Sequence, residues 1–125
     1  MIGAILVAAD VAAALEFYRR AFQCRVLEQT HDEYGVLRGA TLEGDGYRLV
    51  LSAEDEPHTT RSPRHSGWSS VSLILRVRDV DLAVSRFVAA GGWLRSGPKR
   101  RPWGARAALV EDPEGHRWML EGPAR

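Results

Sequence analysis

Only one of the 125 residues is cysteine, Cys24, so no disulfide forms within the chain and the fold rests on its apolar core. Neither sign of charge dominates: 17 Lys and Arg stand against 16 Asp and Glu, a formal net charge of +1. That balance excludes the dense basic surface on which general nucleic-acid binding depends, so no nucleic-acid partner is expected. No apolar run reaches the ~18 residues that a spanning helix needs, and no membrane partner is expected either. The opening stretch Met1 to Asp10 lacks the basic start and the longer apolar run of a secretory signal, which predicts a cytoplasmic protein. The four histidines, His31, His58, His65 and His116, include no pair at i, i+4 or i, i+2 spacing, so no ready-made metal pair stands on one helix or strand face. With 45% hydrophobic and 26% charged residues, the chain has the composition of one globular domain.

What the chain does have is repetition. Asp10-Val11 recurs 69 positions later as Asp79-Val80, each ahead of an alanine-rich stretch with helical spacing, and Gly46-Tyr47-Arg48-Leu49-Val50-Leu51 recurs as Gly115-His116-Arg117-Trp118-Met119-Leu120. The short apolar run Ile2 to Ala8 predicts a buried strand, and Asp10 supplies the N-cap of a helix with Val11, Leu15, Tyr18 and Phe22 on one face. Arg25 to Thr30, Gly35 to Glu43 and Tyr47 to Ser52 have strand length and composition, with Gly44-Asp45-Gly46 as a tight turn. The second half starts again with a strand at Val71 to Val77. Its helix runs from Val80 to Ala90 with Val80, Val84 and Phe87 on one face, and Gly91-Gly92 stops it. Strands at Trp93 to Ser96, Ala105 to Glu111 and His116 to Glu121 follow. Between the halves, Glu54 to Gly67 is polar and aperiodic, as a linker is. The expected fold class is α+β, with two βαβββ modules at 1–53 and 69–125 joined by a linker at 54–68 in a single domain.

The segment Arg101-Pro102-Trp103-Gly104-Ala105-Arg106, leading into Leu109-Val110-Glu111-Asp112-Pro113-Glu114-Gly115-His116-Arg117-Trp118, resembles the C-terminal signature of the vicinal oxygen chelate superfamily. That superfamily includes glyoxalase I, extradiol dioxygenases and the bleomycin and fosfomycin resistance proteins. The Pro-Trp-Gly loop, with the helix motif Phe17, Tyr18 and Phe22, is most similar to the bleomycin-resistance branch and its glyoxalase-like relatives. The resemblance implies a curled mixed sheet around a cavity, completed by exchange of modules in a homodimer. It also implies where a divalent ion would sit, on the first and last strand of each module. Those positions hold Gly3, Val50, Ser72 and Met119, none of them His, Glu or Gln. A shift of one residue brings up Ile2 or Ala4, Leu49 or Leu51, Val71 or Leu73, and Trp118 or Leu120, which donate no better. A divalent ion needs several converging N or O donors, so neither metal nor other cofactor is expected.

Strand alternation puts Ile5, Val7, Arg48, Ser52, Ile74, Arg76, Arg117 and Glu121 on the cavity face, and Ala4, Leu6, Leu49, Leu51, Leu73, Leu75, Trp118 and Leu120 under the helices. Arg48 and Arg117 are related by the repeat and could grip an anion together, or pair with Glu43, Glu111 or Glu121. Trp103, by the resemblance, stands where the tryptophan of bleomycin-resistance proteins packs against a flat part of the drug; the alternative is a loop anchor. Trp68, Trp93 and Tyr34 are further candidates for walling an aromatic groove. The basic cluster Lys99, Arg100, Arg101 and Arg106 beside Trp103 disfavours a cationic drug and suits a neutral or anionic aromatic compound. Cys24, with no histidine near it in sequence, reads as a small buried hydrophobe.

Three functions stay open on these residues. The first is a metal-free protein that binds and sequesters a small hydrophobic or aromatic molecule, for example in antibiotic self-resistance, with no catalytic residue. The second is a glyoxalase-like lyase, isomerase or dioxygenase with a relocated metal, or a metal-free acid-base catalyst using Glu121 or His31. The third is a dimerising interaction domain with no ligand.

Overall fold

Asp10 and Asp79 each begin a helix. The Asp10 carboxylate accepts the Ala13 backbone N–H at 3.0 Å and opens α1 (Val11–Phe22), and Asp79 accepts that of Leu82 at 3.1 Å and opens α3 (Val80–Ala89). Such caps satisfy amide donors that a helix start otherwise leaves without partners. The computed structural model describes residues 3–124, so Ile2, the expected start of the first strand, lies outside the described residues. Around α1 the first half forms β1 (Gly3–Ala8), β2 (Arg25–His31), β3 (Leu37–Gly44) and β4 (Tyr47–Ala53). Around α3 the second half forms β5 (Ser72–Arg76), β6 (Trp93–Arg100), β7 (Arg106–Glu111) and β8 (Arg117–Gly122).

The strands make two four-stranded mixed sheets of the same order, β1-β4-β3-β2 and β5-β8-β7-β6, with one parallel pair in each, β1 with β4 and β5 with β8. One face of each sheet is closed by a helix. Leu6, Leu42, Leu49 and Leu51 pack under α1, and Val110, Trp118 and Leu120 under α3, all in one buried cluster. The helices meet through Phe17 and Phe87, whose rings stand edge to face at 4.9 Å, and Phe22 meets Trp118 in the same way at 4.9 Å. The opposite face of each sheet carries no helix. There Ile5 and Ile74 are 69% and 63% exposed, while their strand neighbours Leu6 and Leu75 turn to the covered side. The split expected from alternation is therefore the one observed.

Two stretches differ from the sequence reading. Gly97-Pro98 ends the apolar run of β6 as turn residues should, yet the strand absorbs them in a bulge between Ser96 and Lys99 and continues to Arg100. The linker is folded rather than a bare loop. It contains a 3₁₀ turn at Glu56–His58 and a four-residue helix, α2 (Pro63–Ser66), held by the Glu54 carboxylate. Glu54 accepts from the Ser62 amide at 2.9 Å, the Ser62 hydroxyl at 3.0 Å and His65 Nδ1 at 3.0 Å. These donors hold its carboxyl down at about 2, the amide contributing most.

The turn at residues 112–116 ties the halves together. Glu114 accepts the Ala9 amide at 2.7 Å and the Asp10 amide at 3.2 Å, and His116 Nε2 contacts the Val7 carbonyl at 2.8 Å. Tyr18, fully buried on α1, donates its hydroxyl to Asp112 and accepts the Trp118 indole N–H at 3.0 Å. Burial, with Asp112 beside it, pushes the Tyr18 phenol well above its ordinary range, and burial raises Asp112 as well.

Candidate ligand site on the open sheet faces

The edges β1 and β5 face each other with two cavities along the seam between them. One, of about 750 Å³, is bounded by Gly3, Ala4, Asp45 to Leu49, Ser72 to Arg76, Trp118 and Glu121. Arg76 and Glu121 also line a second space of about 490 Å³ beneath the loop that carries Trp103. The two spaces meet at Arg76 and Glu121, with Arg48 and Ile74 lining the first and Trp103 the second. The other seam cavity, of about 520 Å³, takes Trp68 and Arg117 together with Ile5, Val7, Val71 and Leu73.

Trp103 is 58% exposed but not loose. Its indole N–H donates to Glu121 at 2.6 Å, and the loop is closed by the Arg101 amide on the Ala105 carbonyl at 2.8 Å and the Gly104 amide on the Arg101 carbonyl at 3.0 Å. Gly104 takes φ +93°, which a side chain would oppose. A half-exposed ring is therefore held in place on the lining of this space.

The arginines divide. Arg48 pairs with Glu43 at 3.1 Å, and Glu43 also holds Arg25 at 2.7 Å. Arg117 pairs with Glu111 at 3.3 Å, and Glu111 holds Arg95 at 2.7 Å. In the first sheet the Arg-Glu-Arg set lies in the one row that begins at Gly3; in the second, Arg117 and Glu111 share the row of Ser72, and Arg95 reaches Glu111 from two residues beyond Trp93, the row partner of Glu111. A joint grip by Arg48 and Arg117 on one anion does not arise, because they line different cavities and each already has a carboxylate. Arg76 is different: among the described residues it has no ion-pair or hydrogen-bond partner.

The remaining candidates scatter. Trp93 lines a small cavity with Arg64, Glu111, Pro113 and Gly115, apart from the seam. Tyr34 is 84% exposed near the tip of the β2–β3 hairpin and lines none of the cavities described, because its amide is held by Asp32 in a tight turn. His31 ends the exposed edge strand β2, away from Glu121 in the cavity lining. Of the basic cluster beside Trp103, Arg106 is neutralised by a two-pronged pair with Asp81 at 2.8 and 2.9 Å, while Arg101 bends onto the Ala107 carbonyl at 3.2 Å and keeps its charge.

Residues 2–120 match the family model described as Glyoxalase/Bleomycin resistance protein/Dioxygenase superfamily. The chain belongs to this superfamily. The uncharacterized protein Rv0887c of Mycobacterium tuberculosis is 33% identical over 96% of the chain and 72% of its own length. Among solved structures, TioX from Micromonospora sp. ML1 superposes with a TM-score of 0.77 at 28% identity, covering 98% of both chains. TnmS3, described as an antibiotic binding protein from Streptomyces sp. CB03234, gives a TM-score of 0.72 at 26% identity over 98% of this chain and 93% of its own.

The divalent ion that metal-dependent members of the superfamily carry does not fit this donor set. Gly3, Val50, Ser72 and Met119 occupy the relevant strand positions, and among the described residues no three His, Cys, Asp or Glu side chains cluster to replace them. Sequence reasoning missed the polar contacts that join the halves in this member of the superfamily. Tyr18, Asp112 and Glu114 were visible only as a helix-face tyrosine and a turn, and nothing in their spacing shows that they meet.

Proposed function

We propose that the protein binds a flat, largely apolar small molecule across the two adjoining spaces that meet at Arg76 and Glu121, one lined by Arg48 and the other by Trp103, without a metal, and acts by sequestering it in the cytoplasm. The observation that carries this reading is Trp103: an indole tethered by Glu121 at 2.6 Å presents a half-exposed ring to a space that adjoins the cavity lined by Ile74. Stacking on such a ring needs no catalytic group. Family membership and the likeness to TnmS3 support an antibiotic as the molecule sequestered. The uncovered sheet faces support a homodimer in which a second copy closes each cavity. Glu121 is engaged by Trp103, and His31 stands apart from the cavities, so no observation favours an acid-base pair.

The test is titration with N-phenyl-1-naphthylamine, a neutral aromatic probe, followed by tryptophan quenching and by the probe's own emission. Saturable binding that weakens about tenfold in Trp103→Ala is expected, in line with the ~1–1.5 kcal/mol of an aromatic contact. Absence of saturable binding by this probe and by its anionic counterpart, with no change in melting temperature, sinks the reading.

A further inference from the structure

Arg76 and Glu121 are directly opposed across the parallel pair β5–β8, the arrangement in which opposite charges ordinarily bond. They make no ion pair. The Glu121 carboxylate is turned to the Trp103 indole, and the Arg76 guanidinium is left without a protein partner among the described residues. Among the described residues it is also the one arginine that borders both the 750 Å³ cavity and the 490 Å³ space under Trp103. Arg48, in the same cavity, is committed to Glu43. The acids lining these two spaces are Glu121, bonded to the indole, and Asp45, exposed on the β3–β4 turn; Asp45 and Asp79 also border a further cavity of about 470 Å³ with Arg76.

We infer that Arg76 makes the site selective for an aromatic acid, a flat ring system bearing a carboxylate, sulfonate or phenolate. The inference rests on the binding reading above and specifies its ligand. A guanidinium offers five N–H donors in a planar fork that matches an oxyanion two at a time. With the neighbouring carboxylate withdrawn, those donors have no hydrogen-bond partner among the described residues. An aromatic acid lying on Trp103 brings its anionic group to Arg76 while its ring covers Ile74. The same residue that orients the ring, Glu121, thereby releases the cation that reads the charge.

The experiment compares two probes with one scaffold: N-phenyl-1-naphthylamine and 8-anilinonaphthalene-1-sulfonate, which differ by the sulfonate. Wild type is expected to bind the sulfonate at least tenfold more tightly. Arg76→Gln should bring the ratio of the two affinities to about one, and Arg76→Lys should keep part of the preference, because the charge is retained and the fork is lost. Arg76 is exposed on a strand end, so both variants should keep the wild-type melting temperature. A ratio near or below one in wild type, or a preference that survives Arg76→Gln, overturns the assignment to Arg76 while leaving the binding site intact. Failure of both probes removes the site and the assignment together.

Discussion

A carboxylate that receives an amide, a hydroxyl and an imidazole from one turn of chain is hard to protonate, and Glu54 is so placed. Its folded pKa of about 2 lies below the ordinary 4.5. The folded state therefore binds this proton less readily than the unfolded state, and the stabilisation is complete above pH 4.5 and lost as pH falls towards 2. Glu54→Gln should accordingly melt below wild type at pH 5, with the two curves converging near pH 2. Melting temperatures measured across that range check it; a gap that widens in acid contradicts it. At this scale the sequence was partly legible. Repeat position and strand parity put Arg48, Arg76, Arg117 and Glu121 on the open faces, because the period of a strand is a property of the backbone. Their partners were not legible, since Arg48 with Glu43 depends on cross-strand register and Glu121 with Trp103 on the path of a loop.

Among the elements, the turn at 112–116 is the most constrained. Gly115 takes φ +90°, and a Cβ there would stand 2.8 Å from the Arg64 backbone nitrogen and 2.9 Å from Pro63. Both the backbone conformation and the close approach of α2 require glycine. Gly115→Ala is expected to cost about 2 kcal/mol or more, since strain and displacement of α2 add, whereas Gly35→Ala, also at positive φ but with open space around it, should cost about 1 kcal/mol. Urea unfolding of both variants tests the order, and equal losses would mean that the α2 contact carries nothing. Helix starts were readable to the residue because Asp10 and Asp79 cap by local geometry. The folded linker was not, because Ser62 and Glu54 are eight apart and their bond leaves no periodic trace.

Taken whole, the molecule covers one face of each sheet with a helix and leaves the other open, with Trp68 at 84% exposure beside Ile5 and Val71. Apolar area of that kind weakens a monomer in water unless something covers it. If a second copy does so, unfolding is coupled to dissociation, and the melting temperature should fall by several degrees on hundredfold dilution. A melting temperature independent of concentration, with a monomeric mass by light scattering, would count against the homodimer.

The grip of residues 112–116 on the first half has a temporal side. Ala9 and Glu114 are 105 residues apart in the chain, and Tyr18 and Asp112 are 94. A chain made from its N-terminus produces β1 and α1 early, yet the Ala9 amide and the Tyr18 hydroxyl meet these partners only once residues 112–114 have been made. The first half therefore cannot reach its final form as it emerges. Its closure waits for residues 112–116, which belong to the other repeat.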